Sequence, residues 1–206
     1  MASGMKISPK DAPRDRILKA AGMLFYERGI HTVSVDEIAA AAGSNKMTLY
    51  RHFGSKDGLV VEWLLATSES AQAKWRDVEA SNQMDALARL HGLVDMMVSQ
   101  ITAWMRGCPF GNSMAELSDP THPAHEVIRA YFTYQRDWLE RACRDAGLRT
   151  PQETADALFY IVRGTSAGLA LDDQAQFAER ERRALSSVID SARRGPANHR
   201  MSPDAL

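Results

Sequence analysis

The segment from residue 34 to residue 56 most constrains how this chain can fold, because it reads as two short helices joined by one glycine. Ser34 and Glu37 have the spacing of a capping box, which satisfies backbone amides at the start of a helix. Gly43 follows where that helix must stop and reverse, a place that favours a residue tolerant of positive φ. Leu49 and Phe53 are one turn apart and predict a single core-facing side of the second helix. The segment therefore predicts a helix, a tight turn and a second helix.

The outward side of the second helix is basic, although the whole chain is nearly neutral. The formal net charge is −1, whereas residues 44–56 contain Lys46, Arg51 and Lys56 and no acidic residue. A short helix after a tight turn, with a local basic face, is typical of a recognition helix in the DNA major groove. The alternative is an ordinary solvated face with three charges. We predict DNA binding because the charge and the turn occur together with an outward Tyr50.

The rest of the chain reads as helix, which predicts an all-α fold that begins with a three-helix helix-turn-helix unit. Apolar residues recur at helical spacing from Ile17 to Phe25 and in several later segments. No alternating pattern typical of a strand is found. Later in the chain we expect a short helix at 113–117 and a last helix at 175–194.

Composition argues against several other classes of protein. Two cysteines, Cys108 and Cys143, are too few for a disulfide framework and indicate a cytoplasmic protein. Charged residues interrupt every apolar run, so we expect no membrane span, and residues 1–16 lack the apolar core of a signal peptide. Enzyme motifs are absent, and His122 and His125 have no further metal ligand in the sequence. We therefore expect no enzyme, no cofactor and no metal.

The chain resembles the TetR family of bacterial transcriptional repressors. The resemblance rests on ILKAAGMLFYERG, VSVDEIAAAAG and SNKMTLYRHFGSKDGLV, all in the N-terminal quarter. A string common in the family, G-x-x-x-x-x-L-Y-x-[HY]-F-x-[SN]-K, is matched here by Gly43, Leu49, Tyr50, His52, Phe53, Ser55 and Lys56. The resemblance implies a repressor that binds a roughly palindromic double-stranded DNA operator as a homodimer and is released by a small-molecule inducer, apolar or electrophilic.

The family also implies how the chain is divided. We expect an N-terminal DNA-binding domain and a C-terminal helical domain for ligand binding and dimerisation. The expected parts are a mobile arm at 1–12, the helix-turn-helix domain at 13–55, the effector-binding and dimerisation domain at 56–195 and a disordered tail at 196–206.

The resemblance implies which residues contact the operator. The expected set is Ser34, Asn45, Lys46, Met47, Thr48, Tyr50, Arg51, His52 and Lys56. Of these, Thr48, Tyr50, His52 and Lys56 would mostly hold the phosphate backbone, and Asn45, Lys46, Met47 and Arg51 would lie nearer the base edges.

Alternatives remain open for three of these residues. Many family members have a small residue at the position of Met47, which could contact a thymine methyl group or only shield the interface. Arg51 could read guanine with two hydrogen bonds or bind a phosphate. Tyr50 could instead be a packed aromatic residue.

The last two helices would form the dimer interface, as the family implies. Gly164 and Gly168 are one turn apart, so another helix backbone can approach closely, and apolar neighbours supply area for a four-helix packing. The expected dimer residues are Phe159, Val162, Gly164, Gly168, Leu185, Val188 and Ile189. The alternative is that the glycines serve contacts within one chain.

The middle of the chain is rich in aromatic residues and methionine, which suits an apolar ligand pocket with a few polar groups. The expected lining residues are Trp63, Trp104, Met105, Cys108, Phe110, Asn112, Met114, Phe132, Gln135, Trp138, Phe159 and Arg163. Ordinary core packing is the alternative for each of them.

Cys108 interrupts the helical pattern within the segment Gly107-Cys108-Pro109-Phe110-Gly111-Asn112. The segment resembles a Gly-Cys-x-x-Gly-Asn element in one branch of the family, in which some members sense electrophiles through the thiol. A thiol near a helix start and next to Arg106 would react more readily. The alternative is an inert, buried cysteine, which is also how we interpret Cys143.

Two other functions remain open. The chain could be a helical protein-interaction module that uses its helix-turn-helix for protein contacts, or a transcriptional activator. Binding by an interaction module would be insensitive to salt, whereas DNA binding would weaken steeply as salt rises.

Overall fold

The computed structural model describes residues 7–80, 85–103, 106–165 and 174–194. All regular structure in these ranges is helical, which confirms the all-α prediction. The elements are α1 Pro13–Arg28, α2 Val35–Ala41, α3 Lys46–Phe53, α4 Lys56–Glu79, α5 Ala86–Ala103, α6 Pro109–Glu116, α7 Ala124–Asp145, α8 Pro151–Thr165 and α9 Gln174–Arg194. In the same ranges, none of the helices combines the length and the hydropathy needed to cross a bilayer.

Side-chain caps define the starts of α2, α3 and α4, and the first of them is the predicted capping box. Ser34 caps α2 in a complete capping box, and Asn45 and Ser55 cap α3 and α4 with their side-chain oxygens. At Gly58 a Cβ atom would lie 2.2 Å from the Phe53 carbonyl oxygen, so only glycine lets α4 start this close to the end of α3. The turn between α3 and α4 is therefore fixed by local sequence.

One helix boundary differs from its prediction. The short helix expected at 113–117 is α6, and it begins four residues earlier, at Pro109. A proline is tolerated in the first turn of a helix because the amide that it lacks would have no partner there. Cys108 becomes the residue before the helix, and its thiol does not cap it.

Two hydrophobic cores organise the described residues, and the first of them extends beyond residue 55. The first core joins α1–α3 to the first half of α4, to α6 and to the first half of α7. Its larger members are Ile17, Phe25, Ile38, Leu49, Phe53, Leu59, Trp63, Phe110, Ile128 and Tyr131. The second core lies among the end of α4, α5, the second half of α7, α8 and α9. The helix-turn-helix therefore shares its core with α6 and α7.

Candidate nucleic-acid interface

The start of α2 is held by a network around Glu37. The Glu37 carboxylate accepts hydrogen bonds from the amide and the hydroxyl of Ser34, each at 2.8 Å, and lies 2.9 Å from the Arg28 guanidinium. The pKa of Glu37 is lowered to about 2, first by the hydrogen bond from the Ser34 backbone amide and then by those from the Ser34 hydroxyl and Arg28. The amide and the hydroxyl of Ser34 are therefore both used to cap α2.

Arg16 stabilises the turn of the helix-turn-helix. Its Nε donates to the Ala42 carbonyl at 2.9 Å and its Nη2 to the Gly43 carbonyl at 3.3 Å. Gly43 has a φ of 56°, a conformation that glycine adopts without strain. The side chain of Arg16 thus satisfies the carbonyls at the end of α2 from α1, a role that no local motif signals.

The recognition helix α3 exposes the residues that the sequence predicts. Leu49 and Phe53 are buried, and Asn45 Oδ1 accepts the Thr48 amide at 2.9 Å. Met47 and Tyr50 are 78% and 39% exposed. The other exposed side chains of this helix are Lys46, Arg51 and His52.

Two lysines among the predicted DNA-contacting residues interact with carboxylates of the protein itself. Lys46 Nζ lies 3.3 Å from the Asp36 carboxylate on α2. Lys56, at the start of α4, is half-buried, and burial lowers the pKa of its ammonium group, against the opposing effects of Asp57, Glu116 and Glu37.

The helix-turn-helix is hydrogen-bonded to the segment around α6. The amide of Arg106 donates to the Tyr26 hydroxyl, and Arg106 Nη1 donates to the Tyr26 carbonyl, both at 2.7 Å. The Tyr26 hydroxyl donates onward to the Gly107 carbonyl at 3.2 Å. Asn112 holds Arg106 in place, because its Nδ2 donates to the Arg106 carbonyl at 2.7 Å. The end of α1 therefore contacts both residues that precede Cys108.

Cys108 contacts a guanidinium, but not the one expected from its neighbour in sequence. Arg106 points to α1, whereas Arg163 of α8 donates from Nη1 to Cys108 Sγ at 3.1 Å and from Nη2 to Gln135 Oε1 at 2.6 Å. The Arg163 guanidinium also lies 4.4 Å from the ring centre of Phe132 and 5.3 Å from that of Phe159.

Of the other predicted pocket residues, one lies beside the Cys108–Arg163 cluster and several lie away from it. Phe110 stacks on Tyr131 beside this cluster, with ring centres 3.8 Å apart. Trp63 packs on Phe25 in the first core, and Met114 contacts His125, with 3.1 Å between Sδ and Nδ1. Trp138 packs on Trp75 in the second core and borders a surface cleft lined partly by charged residues. Trp104 and Met105 lie outside the described residues. The structure thus brings together Cys108, Phe110, Phe132, Gln135, Phe159 and Arg163.

Most of the expected dimer residues are covered by the chain itself. Four of them are buried in the second core, namely Phe159, Val162, Leu185 and Ile189. These side chains pack α8 and α9 against the rest of the chain, so they offer little surface area to a second copy. Val188 is half-buried, and Gly164 is exposed with open space where a Cβ would lie. Tyr160, one turn before Gly164 and 62% exposed, was not predicted. Gly168 lies outside the described residues.

The N-terminal region is similar to known regulators in sequence. Residues 17–63, from α1 into α4, match the sequence model of "Bacterial regulatory proteins, tetR family". The HTH-type transcriptional repressor KstR2 of Rhodococcus jostii is 38% identical over 96 residues, 47% of each chain. The HTH-type transcriptional activator FasR of Mycolicibacterium smegmatis is 48% identical over 48 residues, 23% of this chain and 22% of FasR. The chain thus matches less than half the length of these curated relatives.

The similarity in structure extends through the remaining helices. SCO4454, a TetR-family transcriptional regulator from Streptomyces coelicolor, superposes with a TM-score of 0.81 at 28% identity, covering 87% of this chain and 95% of that one. Reduced NemR of Escherichia coli superposes with a TM-score of 0.74 at 18% identity, covering 85% and 94%, which shows a shared fold. The sequence match thus identifies residues 17–63 as a DNA-binding region of the tetR family, and the structural match shows that the chain shares the fold of a TetR-family regulator as far as α9.

Proposed function

We propose that this chain is a sequence-specific DNA-binding regulator of transcription that represses its target genes. The observation that carries the proposal is α3, a short capped helix with a buried apolar side and with Lys46, Met47 and Arg51 exposed, and without any acidic residue. A helix of this kind, crossed by α2 and projecting from the domain, fits the major groove and can reach phosphates on both sides.

The active form in this proposal is a homodimer. A two-fold axis presents two copies of α3 to successive major grooves, so the operator is roughly palindromic with half-sites about one helical turn apart. The exposed strip of α8 around Tyr160 and Gly164 supports such an interface, because a large aromatic side chain and a position without a side chain lie side by side on the surface. The proposal thus moves the centre of the interface to exposed residues of α8.

The inducer is proposed to act at Cys108 and Arg163, as a small apolar or electrophilic compound. An α,β-unsaturated carbonyl compound is one suitable class: a bond forms between Cys108 Sγ and its β-carbon, the carbon–carbon double bond becomes single, and the thiol proton ends on the α-carbon. An adduct at Sγ would displace the Arg163 guanidinium, now 3.1 Å away. The hydrogen bonds from the Arg106 amide to the Tyr26 hydroxyl and from that hydroxyl to the Gly107 carbonyl would transmit the change to α1 and alter the separation of the two α3 helices.

The experiment is a binding selection from randomised duplex DNA, followed by titration of the recovered site at several salt concentrations. We expect one roughly palindromic site and an affinity that falls steeply with salt, because bound cations are released from the phosphates. The double variant Tyr50→Ala, Arg51→Ala is the negative control. If the wild type recovers no preferred site, or behaves like the control, the proposal is wrong and the protein-interaction module takes its place.

One of the relatives is an activator of transcription, whereas repression is proposed for this chain. FasR, which is 48% identical over 48 residues, is named an activator. Activation uses the same docking on DNA, so the proposed operator is unaffected. Transcription from a promoter carrying the recovered site distinguishes the two: a repressor lowers the output and an activator raises it.

A further inference from the structure

The geometry of α3 divides its side chains by the direction in which they point. The inference that follows rests on the proposed function, because it requires α3 to enter the major groove. Leu49 is fully buried and marks the inner side of the helix. Successive residues of an α-helix are rotated by about 100°, so Met47 and Arg51, two before and two after Leu49, both lie roughly 160° from it. These two side chains point farthest from the core.

The remaining side chains of α3 flank this pair. By the same rotation, Lys46 and Tyr50 lie on one side of the helix and Thr48 and His52 on the other. In a groove-bound helix such flanking positions approach the two sugar-phosphate strands, which position a protein without reading sequence. The predicted phosphate-binding residues Thr48, Tyr50 and His52 occupy these positions.

Two other residues expected near the bases are engaged locally. The Oδ1 atom of Asn45 accepts the Thr48 amide and is needed to cap α3. The ammonium group of Lys46 is drawn to Asp36 on α2 at 3.3 Å, across the helix from Arg51. An exposed pair of this kind is weak, so it directs Lys46 without locking it. Met47 and Arg51 are left as the side chains aimed at base edges.

We propose that Met47 and Arg51 are the residues that determine operator sequence, Met47 by contact with a thymine methyl group and Arg51 by hydrogen bonds to guanine. Met47 is 78% exposed, and its apolar side chain matches the thymine methyl, the apolar group on the edges of the major groove. The Arg51 guanidinium presents paired donors that fit O6 and N7 of guanine. The two residues are four apart, about 6 Å along the helix axis, which is close to two base-pair steps. Each half-site therefore carries a thymine and a guanine about two base pairs apart.

The experiment removes single methyl groups from the selected operator. Each thymine of a half-site is replaced in turn by deoxyuridine, which differs only by the 5-methyl group, and the affinities of wild type, Met47→Ala and Met47→Gln are measured. At one position we expect wild-type binding to weaken about fourfold per half-site, the effect of losing one buried methyl contact. Both Met47 variants should bind the thymine and deoxyuridine sites equally.

A second selection tests Arg51. Arg51→Ala should lose the preference for guanine at the position about two base pairs from that thymine, with a loss of tenfold or more on the original site. His52→Ala is the matched control from the flank of α3, and it should weaken binding to all sites without changing the preferred bases.

The outcomes separate this inference from the proposed function. If the wild type selects a palindromic site but no deoxyuridine substitution weakens it, or if the Met47 variants keep the penalty, the assignment of Met47 is wrong and the regulator proposal stands. If Arg51→Ala keeps the guanine preference, the assignment of Arg51 is wrong. If the wild type selects no site, the regulator proposal and this inference both fall.

Discussion

The carboxylate of Glu116, at the end of α6, accepts a hydrogen bond from the backbone amide of Ile30, just after α1, at 2.5 Å. The Glu116 carbonyl also accepts a bond from His31 Nε2 at 2.9 Å. This link joins α6 to the turn that leads into α2, at the opposite end of α6 from Cys108. Together with the bonds from Arg106 to Tyr26, it ties both ends of α6 to the helix-turn-helix.

We expect any substitution at Gly29, next to this link, to destabilise the fold. Its φ is 91°, and a Cβ there would lie 3.0 Å from the Glu116 carboxylate. Gly29→Ala should lower the free energy of unfolding by roughly 1–3 kcal/mol, because the backbone conformation is nearly exclusive to glycine. Chemical denaturation monitored by circular dichroism measures the change.

Gly111→Ala is the matched control for this substitution. Gly111 lies within α6, and a Cβ there would meet only Cys108 Cβ at 3.8 Å, an ordinary contact. Alanine should leave stability unchanged or raise it by up to about 1 kcal/mol. If the two variants are equally stable, the close approach at Gly29 does not constrain the fold.

Glu37 predicts a specific loss of stability in acid. Its folded-state pKa of about 2 lies below its ordinary value of 4.5, so its contribution is complete above pH 4.5 and is lost as the pH falls toward 2. The melting temperature of Glu37→Gln should therefore lie below that of the wild type at pH 6, and the gap should close between pH 4.5 and pH 2. Glu27→Gln, on the exposed side of α1, controls for loss of the same charge. A gap that stays constant through this range would contradict the assignment.

The two cysteines should react at very different rates in the folded protein. Burial raises the pKa of Cys143 to about 12, so almost none of it is thiolate at neutral pH. Cys108 is half-buried beside the Arg163 guanidinium. Limited treatment with N-ethylmaleimide, followed by peptide mass spectrometry, should find the adduct on Cys108 first. Comparable labelling of both residues would remove the basis for sensing at Cys108.

The response to electrophiles should depend on the same thiol. Cys108→Ser should keep operator affinity and lose release by electrophiles, because serine retains the size of the side chain without its nucleophilicity. Fluorescence anisotropy with a labelled operator measures both properties. If release is unchanged in Cys108→Ser, the electrophilic inducer is wrong and a non-covalent ligand remains.

Lys56 should contribute to the salt dependence of binding. The family resemblance implies that it holds a phosphate, and in the structure it lies half-buried at the start of α4. Lys56→Gln should reduce the slope of log K against log salt by about one for each protomer, with no change in the preferred bases. Lys74→Gln, exposed near the other end of α4, should leave the slope unchanged. Equal slopes for Lys56→Gln and the wild type would remove Lys56 from the interface.

Local signals in the sequence predicted the helix-turn-helix well, since caps, stops and one-turn pairs act within a few residues. The side chains of Ser34, Leu49 and Phe53 lie as those signals indicate. Contacts such as Glu116 with Ile30 join residues far apart in the chain, and no local pattern encodes them. Apolar spacing on α8 and α9 leaves the dimer residues a prediction, for a different physical reason. It marks a buried side, but cannot distinguish burial in the chain's own core, as at Leu185, from burial against a second copy.

Exposed residues of α8 should therefore decide the oligomeric state. Tyr160→Arg places a charge on the strip that is proposed to meet a second copy, and burying an unpaired charge there would be costly. We expect it to convert the dimer into a monomer and to weaken operator binding at least tenfold, because one copy of α3 then binds alone. Leu65→Arg is the control: Leu65 is also exposed, at 46%, but it lies on α4. Analytical ultracentrifugation measures the mass of each variant. A Tyr160→Arg protein that remains dimeric, with Leu65→Arg monomeric, would move the interface from α8 to α4.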